Sequence, residues 1–137
     1  SVLVEYSCSI NTTPMSFGVY NGVGANASIA LEATATIISN CISGTGAHIT
    51  LNTGNFAGLG SSDSPIRRMS AGEGKYLVYQ VYSDDSRDTV WGNTTPTGLA
   101  LSGTGLPQSL TVYGSIPSAQ MVPEGDYIDQ INVTISY

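Results

Sequence analysis

The side chains in this 137-residue chain that could do chemistry are few: one histidine, two cysteines, ten carboxylates and four cations. Any Ser-His-Asp or Cys-His arrangement for nucleophilic catalysis must use His48, because there is no other histidine. His48 sits in "AHITLN" with parity opposite to Ile49 and Leu51, which puts it on the solvent side of an alternating stretch. Asp84, Ser86 and Asp88 have the alternate spacing that begins a calcium loop, but the central glycine and the distal glutamate are missing, so a solvated hairpin turn explains them. The glycine pairs in "GTGAHI", "GLGSSD" and "GTGLPQ" lack a third glycine, a following helix and a phosphate-loop lysine, and read as turns. Zinc finds no ligand set beyond His48 and the two cysteines. Asn-x-Ser/Thr sequons begin at Asn11, Asn26, Asn93 and Asn132, as chance produces in a chain rich in Ser and Thr. No catalytic site, metal or cofactor is expected.

The elements that carry these residues belong to a charge-poor chain. Charged residues make up 10%, against ~25% in typical soluble domains; Ser, Thr, Asn and Gly take their place. A net charge of −6, with only Arg67, Arg68, Lys75 and Arg87 as cations, argues against nucleic acid or an anionic membrane as partner. No apolar run approaches the ~20 residues that span a bilayer, so no membrane insertion is expected. There is no leader pattern, and any signal peptide is expected to have been removed. Cys8 and Cys41, in such a neutral polar chain, read as one disulfide formed in an oxidising compartment; two buried free thiols are the alternative. A bond closing a loop of that length contributes roughly 3–4 kcal/mol in the loop-entropy treatment.

Period-two patterns dominate. "SIALEATATIISNC" places Leu31, Ala33, Ala35 and Ile37 on one face and Glu32, Thr34 and Thr36 on the other. "AHITLN" is a shorter strand. "KYLVYQVYSD" is apolar on both faces, as for a central strand covered on both sides, and "SLTVYGSIP" is stopped by Pro117. At the end of the chain, Tyr127, Ile131, Val133, Ile135 and Tyr137 share a face. Turn-rich clusters separate the strands, among them "NGVGANA", "NTGNFAGLGSSDSP" and "GNTTPTGLALSGTGLP". About seven short strands with no convincing helix predict an all-β sandwich in one domain, residues 1–137.

Three segments, taken in order, resemble the spore coat protein U family, which includes the pilins of archaic chaperone–usher pili. "CSINTTPMSFGVY" resembles its opening, with Phe17, Gly18 and Tyr20 after the first cysteine. "RRMSAGEGKYLVYQVYSDDSRDTVWG" is similar to its middle, with Arg68-Met69, a Tyr-rich strand, an acidic turn and Trp91-Gly92. "VYGSIPSAQMVPEGDYIDQINVTISY" is similar to its ending, with Gly114, Gln120, Gly125-Asp126-Tyr127 and Asp129. Read from the residues themselves, Phe17, Tyr79 and Trp91 belong in the core, and Gly18, Gly92, Gly114 and Gly125 at turns or bulges. Arg67 or Arg68 is expected to pair with Asp84, Asp85 or Asp88.

The resemblance implies an incomplete immunoglobulin-like β-sandwich that lacks its final strand and is completed by a donor strand. Tyr127 to Tyr137 is then the penultimate strand, and Ile131, Val133, Ile135 and Tyr137 line the groove that receives the donor. It further implies a non-enzymatic pilus subunit for surface attachment and biofilm formation. The implied partners are a periplasmic chaperone, an outer-membrane usher and neighbouring pilus subunits, in the periplasm during assembly and then at the cell surface. Polymerising members carry a donor extension before the first cysteine; here "SVLVEYS" offers Val2 and Val4 as donor residues, with Tyr6 in the same parity. So short a stretch suits a trimmed donor, or a subunit that accepts a strand without providing one. Two apolar loops allow a tip adhesin instead: Phe56 and Leu59 in "NFAGLG", and Leu99 and Leu101 in "TGLALSG". A spore-coat structural role is the third reading.

Overall fold

Alternating β-branched and aromatic stretches, cut by Gly, Pro and Asn clusters, leave the chain little choice but short strands. A computed structural model describes all residues from Ser1 to Tyr137 and contains eight strands and no helix. They are β1 (Cys8–Thr12), β2 (Leu31–Cys41), β3 (Gly46–Leu51), β4 (Arg67–Ser70), β5 (Tyr76–Tyr82), β6 (Leu99–Ser102), β7 (Pro107–Ile116) and β8 (Val133–Ser136). One sheet runs β1-β2-β7-β5-β4 and the other β6-β3-β8, with every pairing antiparallel. The sheets enclose a core built from alternate residues of each strand: Ile37 of β2, Ile49 and Leu51 of β3, Leu77, Tyr79 and Val81 of β5, Val112 and Ile116 of β7. Trp91 fills the centre, 0% exposed, and its indole N–H donates to Ile49 O at 2.8 Å.

Cys8 and Cys41 face each other in the β1–β2 ladder and form the disulfide. The free-thiol alternative is thereby excluded. The bond marks one end of the sandwich, where the tight turn from β2 to β3 lies and β8 finishes opposite His48. Leu31 and Ile116, paired in the β2–β7 ladder, mark the opposite end. There Pro117, which has no N–H, stops β7, and the side chain of Gln120 takes its place against β5. The amide of Val78 donates to Gln120 Oε1, and Gln120 Nε2 donates to Val78 O, both at 2.8 Å.

Four expectations need correction. Leu99 and Leu101 are not in a loop: they form β6 beside β3 and pack half-buried against the core, because Leu-Ala-Leu-Ser alternates like a strand behind its turn residues. The strand expected over Tyr127 to Tyr137 is only Val133–Ser136, since the residues before it are held in a crossing path. β5 is covered on one face only, with Tyr76 37% and Val78 38% exposed on the other. Neither Arg67 nor Arg68 pairs with the acidic turn. Arg68 donates to Phe56 O and stacks over Tyr76. Asp84 instead accepts from its own loop, from the Thr89 and Asp88 amides and the Ser86 hydroxyl, which hold its carboxyl below the usual range, the Thr89 amide first. The one ion pair joins Arg87 to Glu32 across the outer face of β2, at 2.6 Å.

Arg67 lies at the centre of the corner where β4 meets the other sheet. It is 0% exposed. Its Nη2 donates to Leu51 O, Asn52 O and Trp91 O at 3.0, 2.9 and 2.8 Å, its Nε to Asn52 O at 3.1 Å and its Nη1 to Gln80 Oε1 at 2.7 Å. Burial brings its pKa down to about 10, while Tyr79 and Asp129 act in the opposite direction. It remains charged at neutral pH. A planar fork of donors meets these acceptors where a lysine ammonium meets only some. Arg67→Lys is therefore expected to cost about 2–4 kcal/mol in urea unfolding, since lost charge-assisted bonds count ~1.5–3 kcal/mol each. A cost below about 1 kcal/mol would show that the corner is held by packing alone.

Candidate strand-accepting groove

Four strands lie at a sheet edge with one ladder partner each, β1 and β4 in the large sheet and β6 and β8 in the small one, and the pair β1 and β8 flanks the open side of the core. β1 ends the five-stranded sheet and β8 ends the three-stranded one, and each has a single partner, β2 and β3 respectively. Their free edges face each other. A cavity of about 570 Å³ separates Ile10, Asn11 and Thr12 from Gln130 to Val133. β1 runs antiparallel to β2, β3 returns from β2 through a tight turn, and β8 runs antiparallel to β3. β1 and β8 are therefore antiparallel to each other, and a strand laid between them must run parallel to one and antiparallel to the other.

Toward the end opposite the disulfide this gap widens into an open groove of about 1410 Å³. Its floor is the inner face of the large sheet, with Leu77, Tyr79, Val81, Val112 and Ile116 at the base. One wall is the segment after β1, from Thr12 to Val23. Gly114 of β7 lets that wall sit low, for a Cβ there would collide with Met15 and Phe17. Gly114 is thus a place of close approach in a regular strand, not the bulge or turn expected of it. Tyr20 pins the same segment by donating to Pro117 O at 2.6 Å and accepting from the Gln120 amide at 3.0 Å.

The other wall is the chain leading into β8, and it crosses from one sheet to the other by three attachments. Ile128 exchanges backbone bonds with Ser70 at the edge of β4, at 2.9 and 3.1 Å. Asp129 accepts the Asn55 amide at 2.9 Å and the Tyr79 hydroxyl. Asn132 and Asn52 then exchange two bonds, at 3.1 and 2.9 Å, one of them to the Asn52 side chain. Burial, reinforced by the bond to Asp129, pushes the Tyr79 phenol well above its ordinary range, so it is a proton donor at all working pH values. Gly54, at φ 82°, leaves the space in which the Asp129 carboxylate lies, for a Cβ there would collide with it.

Ile131 and Val133 line the groove. Ile135 packs on the core farther along β8, opposite Ile49, and Tyr137 is 62% exposed, so those two lie outside it. Val2 and Val4 stand clear of both sheets, 87% and 74% exposed. Phe56 is half-buried, whereas Leu59 is 98% exposed. The floor of the groove went unrecognised as site in the sequence. Its signal was there, as the inward parity of "YLVYQV" and "TVYGSI", but a floor and a closed core have the same pattern.

Residues 1–134 match the Spore Coat Protein U domain. The chain belongs to that family. Protein U of Myxococcus xanthus is 37% identical over 139 residues, covering 96% of this chain and 78% of that protein. Among solved structures, the chaperone–tip adhesion subunit pre-assembly complex CsuC-CsuE, from archaic chaperone–usher Csu pili of Acinetobacter baumannii, matches with a TM-score of 0.63 at 20% identity. That match covers 98% of this chain and 40% of the other, so this Spore Coat Protein U domain spans less than half the length of its structural counterpart. The likeness is one of fold, an immunoglobulin-like β-sandwich. The minor tip subunit HdaB of the E. coli Hda pilus has a TM-score of 0.44 at 16% identity, over 93% of this chain and 79% of that one.

Asp129→Ala removes the acceptor of two bonds, one to the buried Tyr79 phenol, and is expected to lower stability by about 1–3 kcal/mol. Amide exchange should speed up at Tyr127 to Asn132 before it does in β2 or β7. Uniform acceleration across all strands would mean that Asp129 has no particular part in holding this wall.

Proposed function

We propose that this Spore Coat Protein U domain is a structural subunit of an archaic chaperone–usher pilus, assembled by donor-strand complementation and exchange. The observation that carries this reading is the pair of free edges, β1 and β8, facing each other over an apolar floor. Free strand edges beside an open core are an aggregation hazard unless something covers them. A strand inserted between them completes the sandwich by β-augmentation: backbone bonds fix it in place, and alternate side chains fill the groove. Four such side chains would contribute ~1.5–3 kcal/mol each before ordering costs. The family and the fold agree with this reading. It implies a chaperone that supplies the first strand in the periplasm, an usher in the outer membrane, and neighbouring subunits that supply the final strand at the cell surface. Surface attachment and biofilm formation are the corresponding roles, and they require no catalysis.

Val2 and Val4 are the proposed donor residues for a neighbour, in an exposed stretch that belongs to neither sheet. The tip-adhesin reading loses ground, because Leu99 and Leu101 support β6 and only Leu59 of the four loop residues is fully displayed. A spore-coat role draws support from the identity to Protein U, and it would employ the same groove to build a layer in place of a fibre.

Expressing the chain alone and with an alternating apolar strand fused after Tyr137 through a flexible linker tests the proposal. The fusion should unfold at higher urea, with a gain of about 3 kcal/mol or more. Equal solubility and equal unfolding of the two proteins would sink the strand-accepting role.

A further inference from the structure

The groove opens between four large apolar side chains that point to solvent. Val19 is 86% exposed, Val23 70%, Met121 79% and Ile128 69%, and all four line the same opening. Single exposed apolar residues are ordinary; four around one mouth are a surface that something covers. They lie at the end opposite the disulfide, tied there by Tyr20 to Pro117 and by Ile128 to Ser70. The disulfide end carries a second apolar group, with Tyr6 64%, Ile42 37% and Leu106 68% exposed. The two turns there are bonded to each other, Gly44 N to Gly103 O at 3.1 Å and Gly105 N to Cys41 O at 2.9 Å.

We propose that the rim of Val19, Val23, Met121 and Ile128 docks the disulfide end of a second copy of this chain, in addition to the strand that copy inserts. The proposal rests on the strand-exchange reading, and the tether gives its reason. Only Ser7 separates Tyr6 from β1. A chain covers at most ~3.6 Å per residue, so a copy that lends Val2 to Tyr6 brings its own body to within about 10 Å of the acceptor's mouth. What it brings there is Ile42 and Leu106, with Tyr6 as the last residue of the lent strand at the mouth. A strand that leaves at the rim runs opposite to β8, which heads toward the disulfide end, so it pairs with β8 in antiparallel fashion. The contact joins unlike ends, and repeating it builds an open filament, not a closed dimer.

Two readouts on the intact chain separate rim from groove. Binding of a fluorescein-labelled peptide of residues 1–7 is followed by anisotropy, and self-association of the whole chain by sedimentation velocity. Met121→Ser at the rim, and separately Ile42→Ser with Leu106→Ser, are compared with wild type after thermal melts confirm equal folding. Peptide affinity should stay within about twofold for both variants, while self-association weakens about tenfold or more in each. Unchanged self-association in the rim variant, no self-association in wild type, or equal loss of both readouts would overturn the docking surface. A peptide that binds no form of the protein counts against the groove reading instead, and the rim is then decided by self-association alone.

Discussion

A backbone inside a sheet bonds on both sides, and in this protein β1 and β8 each bond on one. Everything else about the molecule follows from where those two free sides lie. Had they faced solvent on opposite flanks, each would be an ordinary edge to be blunted by charge or a bulge. They face each other across a gap floored by the core. In the function proposed above, the piece that fits there is both a ladder partner and a row of apolar side chains, which one extended segment supplies together. On the strand-accepting reading proposed above, recognition rests on backbone groups and on the two-residue period.

A gap of this kind survives only if the rest of the sandwich does not collapse into it. The opposite flank supplies that resistance. Arg67 draws the carbonyls of Leu51, Asn52 and Trp91 onto one buried guanidinium, and Asp129 ties the crossing chain to Tyr79 and to the Asn55 turn. Buried charge is a poor source of net stability, but a donor fork with fixed geometry is a good source of fixed shape. On the open flank the wall is held low by a vacancy in a side chain: Gly114 gives Met15 and Phe17 room to lie against the large sheet.

Most of the architecture was legible in the sequence because its strands alternate strongly. β2, β3 and the later part of β7 fall where "ATATII", "HITL" and "LTVYGSI" place them, and the disulfide joins the cysteines that composition paired. β6 was missed because Leu99 to Ser102 is short and embedded in glycines and threonines, and its strand character comes from pairing with β3. The path from Tyr127 to Asn132 was read as strand because periodicity does not register a side chain that bonds across sheets, as Asp129 does. Of the groove, Ile131 and Val133 were visible and the floor was not, since inward parity is the same whether a core is closed or open.

Amide hydrogen exchange, read residue by residue, bears most directly on the claim that β1 and β8 await a strand between them. In the isolated chain, the amides of β1 and β8 that do not bond to β2 or β3 should exchange freely, while those bonded to β2 and β3 are protected. Adding an alternating apolar peptide in excess should slow the free set by about a hundredfold or more and leave the protected set little changed. Outward amides already protected without any added strand would contradict the account, because the edges would then be closed by the chain itself.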